Sequence, residues 1–209
     1  MKLIIFDFDG VLRSMSWEYL YDAYWKLTLA MGKNPDAFFP NIASFKKWFD
    51  NDWHKNEMRI MGDEKYVPRP EFNKIFHQHF DANLKMFPWV PETLSHLSKK
   101  HILVILSSST KESVQKALGD LSRYFFHIIG AEEVTKLKPN PEGVFLALKI
   151  TNTLASEAIM IGDMHVDYHA GKSANVKTGL VKWGFGEWEN LVALKPNYLF
   201  EKPEDLLSL

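Results

Sequence analysis

Leu3-Ile4-Ile5-Phe6 is an unbroken apolar, branched run that stops on Asp7, with Asp9 and Gly10 directly after it. A run of that length and branching has the character of a buried strand. Residues two apart on extended chain point the same way, so the carboxylates of Asp7 and Asp9 can face one site. Close carboxylates repel unless a cation sits near them. The simplest explanation is a divalent metal, with one carboxylate left to act as a nucleophile.

From Pro91 onward the pattern alternates strand with helix. Apolar strands are expected at Ile102–Leu106, Phe125–Ile129, Ala158–Ile161, Val176–Val181 and Tyr198–Phe200. Helices are expected at Pro91–Lys100, from a cap at Ser109 or Thr110 to Leu118, from Pro141 (capped by Asn140) to about Ile150, and at Val166–Ala174, with a helical turn at Pro203–Leu207. Strands that are apolar throughout and separated by helices indicate a parallel sheet covered on both faces, an α/β class. Between Ser16 and Met86 the chain is instead dense in aromatics. Leu20, Tyr24 and Leu27, and then Phe45, Trp48 and Phe49, have helical spacing, and Pro35, Pro40, Pro68 and Pro70 punctuate the stretch. That segment is read as an all-α insertion. The expected domains are a core of residues 1–14 and 87–209 and an inserted unit of residues 15–86.

With 46% hydrophobic residues the 209-residue chain can bury a real core, and its net charge of −1 creates no global field for nucleic acid or anionic membrane. The absence of cysteine removes disulfides and thiolate metal sites. No stretch has the length and apolarity of a membrane span, and the start of the chain lacks signal-peptide character. A soluble, cytoplasmic protein is expected, monomeric or homodimeric, with no nucleic-acid or membrane partner.

In an open parallel sheet, ligands bind outside the carboxyl ends of the strands. Four polar elements fall at such ends: Asp7 with Asp9; Ser107-Ser108-Ser109; Lys138-Pro139-Asn140-Pro141; and Gly162-Asp163-Met164-His165-Val166-Asp167. Phosphoryl transfer needs a nucleophile, a hard cation with oxygen ligands, donors for the phosphoryl oxygens and an acid for the leaving group. Asp7, Asp163 and Asp167 can supply metal oxygens, and Ser107 and Lys138 can hold phosphoryl oxygens. His165 and His169 are read as surface histidines rather than metal ligands, as are His77 and His79.

The four motifs in this order resemble those of the haloacid dehalogenase superfamily, specifically phosphatases with a helical cap inserted after the first motif. The stretch from Leu103 through Lys138-Pro139 to Gly162-Asp163 is most similar to phosphoglycolate-phosphatase-like members. The resemblance implies a Rossmann-like core with an all-α cap. It implies a Mg²⁺-dependent phosphatase acting on a small phosphorylated metabolite through an aspartyl-phosphate intermediate. By position, Asp7 would be nucleophile and metal ligand, and Asp9 would be general acid and then base, its backbone carbonyl also facing the metal. Ser107 and Lys138 would bind the phosphoryl group, with Ser108 beside them. Asp163 would bind the metal, and Asp167 would support metal or lysine.

Arg13 departs from the usual pattern; it is read either as reaching an anionic leaving group or as solvated. Lys46, Lys47, Arg59 and Arg69 are further candidates for leaving-group recognition. The competing readings are a phosphomutase, whose first step is the same, a dehalogenase, which needs no metal, a phosphonate hydrolase using Lys46 or Lys47, and a non-catalytic binding protein that keeps the fold.

Overall fold

The structure is a computed structural model that describes residues 2–50, 53–67, 74–75 and 84–209, with only the backbone described at Trp53 and His54. Pro68, Arg69, Pro70, His77 and His79, singled out above, lie outside the described residues. The chain divides into two compact units, Met1–Ser14 with Lys85–Leu209, and Met15–Leu84.

The first unit is built on six parallel strands: β1 (Leu3–Phe6), β2 (Ile102–Leu106), β3 (His127–Ile129), β4 (Ala158–Gly162), β5 (Lys177–Val181) and β6 (Tyr198–Phe200). Their spatial order is β3-β2-β1-β4-β5-β6. Alternate residues of β1 feed two cores. Ile4 and Phe6 join Leu103, Ile105, Ile159 and Ile161 on one face, while Leu3 and Ile5 join Val104, Leu106 and Met160 on the other. Both faces are buried, which is why the strands read as continuous apolar runs rather than alternating ones.

Helix α4 (Val90–Leu97) and α5 (Lys111–Leu118) cover the first face through Val90, Leu94, Leu97, Val114 and Leu118. Helix α6 (Glu142–Thr151) and α7 (His165–Ser173) cover the second through Val144, Ala147 and Ala170. The N-cap of α5 is Thr110, whose side chain accepts from the Ser113 N–H at 3.3 Å. Asn140 accepts from the Glu142 N–H at 3.0 Å, yet the first helical residue is Glu142 and Pro141 takes the cap position.

Strand β3 is shorter than the apolar run Phe125–Ile129. The residues before it form a 3₁₀ run, Gly119–Tyr124, and Phe126 is exposed. A short helix, α8 (Trp188–Ala193), was not anticipated, because its six residues are too few to show a period. Asn175, after α7, takes a left-handed φ of 55°, as expected of an asparagine ending a helix.

The second unit contains α1 (Trp17–Ala30), α2 (Ile42–Trp48) and α3 (Trp53–Met61). Ser16 caps α1, and Asn41 and Ser44 form a reciprocal capping box on α2. Leu20, Tyr24 and Leu27 of α1, as their spacing predicts, are buried, together with Phe39, Phe45 and Ile60. The rings pack at 5.6 Å for Tyr24–Phe45 and 4.7 Å for Phe39–Trp48, so the aromatic surplus serves as a core. Asn56 ties α3 in by donating to the Tyr24 hydroxyl at 3.1 Å and to the Asp50 carbonyl at 2.6 Å.

Glu57 of α3 is buried, its Oε2 meets no donor among the described residues, and burial pushes its carboxyl up to about 7. The folded protein therefore holds this proton more tightly than the unfolded chain does. The group's contribution to stability falls as pH rises from about 4.5 to about 7 and is flat above that. Glu57→Gln removes the cost of the buried charge. The variant is expected to be more stable than wild type by about 1–3 kcal/mol at pH 8 and indistinguishable at pH 5. Thermal melts at the two pH values check this, and equal midpoints at pH 8 would refute it.

Candidate active site

The sheet order places β1 between β2 and β4, with chain connections leaving in opposite directions, so the switch point lies at the tips of β1 and β4. Phe6 is in register with Ile161, and the Asp7 N–H donates to the Ile161 carbonyl at 2.8 Å. Asp7 and Asp163 consequently emerge from neighbouring strand tips.

Lys138 is buried between two carboxylates, its Nζ lying 2.6 Å from Asp7 Oδ1 and 2.6 Å from Asp167 Oδ1. Asp167, in the first turn of α7, also accepts from the Met164 N–H at 3.0 Å through Oδ2. Asp163 accepts from the Phe185 N–H at 2.6 Å through Oδ2, while its buried Oδ1 has no hydrogen-bond partner among the described residues. Carboxylate oxygens of Asp7, Asp163 and Asp167 lie within 4.8 Å of one another.

The backbone is shaped around Asp163. Gly10 has a left-handed φ of +86°, and a Cβ there would stand 2.0 Å from Asp163 Oδ2. A Cβ on Gly184 would stand 2.2 Å from the Asp163 Cβ. Only glycine lets both loops close on this carboxylate.

Electrostatically the cluster carries three acids against one lysine. Burial pushes the Asp7 carboxyl up to about 7 despite the Lys138 ammonium beside it. Burial and then the Asp7 and Asp167 charges push Asp163 well above the usual carboxylate range. The carboxylates in turn hold the Lys138 ammonium above its ordinary value, outweighing its own desolvation. Three buried carboxylates outnumber the one lysine that balances them, and together they offer oxygen ligands suited to a hard divalent cation. All the oxygen donors named here come from this chain's own side chains, so the residues present fit such an ion.

Ser107 is buried at the tip of β2, and its Oγ accepts from the Ser109 N–H at 3.0 Å; Ser108 is half-buried beside it. The Asp9 carboxylate is not in the acid cluster. Its Oδ1 accepts from Arg13 Nε at 2.6 Å and its Oδ2 from the Ser109 hydroxyl at 3.2 Å. Arg13 is only 2% exposed, which corrects the solvated reading of this side chain. His165 and His169 are exposed on α7, as expected of surface histidines. Lys46 is exposed with its Nζ over the Trp17 ring, Lys47 is exposed, and Arg59 is exposed and donates to the Trp48 carbonyl at 2.5 Å and to Asp50 at 3.4 Å. Arg69 lies outside the described residues.

Two contributors have no role in the sequence reading: the Ser109 hydroxyl, which falls in the polar element after β2 and is otherwise read as a helix cap, and the Gly184-Phe185-Gly186 loop after β5. The glycine pair at a fifth strand tip was the available signal for the loop.

The haloacid dehalogenase-like hydrolase family profile matches residues 4–181. A phosphoglycolate phosphatase from Aquifex aeolicus is 27% identical over 221 residues, covering 100% of this chain and 96% of that protein. The pyrophosphatase PpaX of Listeria innocua is 32% identical over 162 residues, covering 76% of this chain and 70% of that protein. A solved haloacid dehalogenase-like family hydrolase from Streptococcus pneumoniae superposes with a TM-score of 0.73 at 21% identity, covering 100% of this chain and 97% of that one, a likeness of fold.

Proposed function

The chain belongs to the haloacid dehalogenase-like hydrolases, and on that premise we propose that it is a Mg²⁺-dependent phosphatase hydrolysing a small phosphorylated metabolite through an aspartyl-phosphate. The observation that carries this is the grouping of Asp7, Asp163 and Asp167 around Lys138 at the β1/β4 tips. In the first step an Asp7 carboxylate oxygen attacks phosphorus, the P–O bond to the leaving group breaks, and the leaving oxygen takes a proton from Asp9. In the second step water attacks the phosphorus of the acyl phosphate while Asp9 takes the water's proton, releasing orthophosphate and restoring Asp7. Lys138 and Ser107, with Ser108, hold the phosphoryl oxygens as charge moves onto them.

Asp7, Asp163 and Asp167, with the Asp9 carbonyl, would hold a divalent cation, which would supply positive charge to offset that of the phosphoryl oxygens. The inserted helical unit acts as a cap that selects the leaving group. The protein works in the cytoplasm as a monomer or homodimer.

Two substrate classes appear in the names of the similar proteins, a phosphoglycolate ester and a pyrophosphate. The test is hydrolysis of both, beside p-nitrophenyl phosphate and a panel of phosphorylated metabolites, with and without Mg²⁺. Activity is expected to require the cation. Mg²⁺ is also expected to raise the thermal midpoint, since a ligand at about 100 times its Kd stabilises the fold by about 2.7 kcal/mol. Hydrolysis that is undiminished after chelation would refute the metal assignment, and a folded protein inactive on every ester would favour a binding protein.

A further inference from the structure

Asp9 is held from both sides. Arg13 Nε lies 2.6 Å from Oδ1, and the two side chains are 3% and 14% exposed. The guanidinium is itself fixed, with its Cζ 4.9 Å from the centre of the Phe8 ring. The backbone locks the same turn: the Gly10 N–H donates to the Arg13 carbonyl at 2.8 Å, and the Arg13 N–H to the Phe8 carbonyl at 3.0 Å. Trp183 Nε1 donates to the Val11 carbonyl at 3.1 Å, pinning the turn from the β5 side. On the other oxygen, the Ser109 hydroxyl sits 3.2 Å from Oδ2, and Ser109 is buried and anchored by its own N–H on Ser107 Oγ.

The two partners differ in what they permit. A guanidinium has donors only, so the oxygen facing it must stay an acceptor whether Asp9 is charged or neutral. A hydroxyl donates or accepts by rotating, so the oxygen facing it can carry a proton or lose one. We infer that Arg13 and Ser109 are positioning residues for the Asp9 acid–base step, confining the transferred proton to Oδ2. The inference rests on the phosphatase reading above. When the ester P–O bond breaks, the proton on Oδ2 passes to the leaving oxygen and Ser109 turns to donate to the bared carboxylate. When water attacks the acyl phosphate, Oδ2 takes a proton back and Ser109 turns again. Oδ1 stays bonded to Arg13 throughout, so the side chain need not reorient between steps.

A misplaced acid matters most where the leaving group needs a proton most. The test compares an alkyl phosphate, a poor leaving group, with p-nitrophenyl phosphate, a good one, in Arg13→Met, Arg13→Lys and Ser109→Ala. Arg13→Met is expected to lose about 10²-fold in kcat on the alkyl ester and within about threefold on the aryl ester. Arg13→Lys, which keeps a cation near Oδ1, should recover part of the alkyl loss. Ser109→Ala should show the same selectivity with a smaller loss. In the Asp9→Asn background, Arg13→Lys should have no further effect on either ester, because it acts through a group already removed.

Equal losses on both esters, or an additive loss in the Asp9→Asn background, would overturn the inference while leaving the phosphatase reading intact. If Arg13→Met does not fold, Arg13→Lys and Ser109→Ala decide the matter by the same ratio. A wild-type protein inactive on both esters would overturn both readings.

Discussion

Asp7→Asn is expected to reduce phosphatase activity by at least about 10⁴-fold while leaving the protein as stable as wild type in the absence of metal. The two halves of this expectation have different causes. Loss of activity follows because an amide is not a nucleophile toward phosphorus, and no other described carboxylate stands ready in its place. Asp167 is bound on both oxygens, by Lys138 and by the Met164 N–H, and Asp163 is drawn onto the Phe185 N–H. Stability is retained because burial already pushes the Asp7 carboxyl up to about 7. Near neutral pH without a cation, the wild-type site carries part of the cost of a buried charge, and asparagine avoids it while its amide oxygen still accepts from Lys138. Thermal melts in chelator and initial rates in Mg²⁺ check the two halves separately. A variant that keeps a tenth of wild-type activity would mean that some other group attacks phosphorus. A variant that fails to fold would mean that the carboxylate is needed for structure.

The parts of this site that were legible in the sequence are those carried by strand tips. An apolar run ending in a polar residue announces both an element and the place where it stops. Asp7, Ser107 and Asp163 each sit one residue beyond such a run or at its end, and parallel pairing brings those tips to one edge. Lys138 was legible only from its place in the loop between β3 and α6, since nothing local to it reveals that it is buried between Asp7 and Asp167. The partners of Asp9 show where such reading stops. Ser109 and Asp9 are 100 residues apart in the chain, and a serine three residues past a strand carries no mark of the carboxylate it will meet. Arg13 folds back on Asp9 because Gly10 takes a left-handed φ and closes the turn, a geometry that a list of charged residues does not contain. The Phe185 N–H is a backbone donor and has no side-chain signature at all.

Lys138→Met should separate the electrostatic work of this lysine from its chemical work. In wild type the ammonium lies 2.6 Å from each of two buried carboxylates, and a third lies within 4.8 Å of both acids. Removing one partner of a buried ionic cluster typically costs about 3–5 kcal/mol, because the charges left behind have neither water nor counter-ion. For a chain of this size that corresponds to a fall in thermal midpoint on the order of 10 °C in chelator. Two conditions should shrink the gap. Lowering the pH protonates Asp7, whose carboxyl burial already pushes up to about 7 and which loses the lysine that opposed this, so the variant's stability declines as pH rises. Adding Mg²⁺ returns positive charge to the cluster, so the variant should gain more from the cation than wild type does. Activity should not return under either condition, because the transferred phosphoryl group has lost a donor that the cation does not replace. A variant as stable as wild type in chelator would show that Lys138 does not balance these acids. If Mg²⁺ also restored turnover, the lysine's contact with the phosphoryl oxygens would be ruled out.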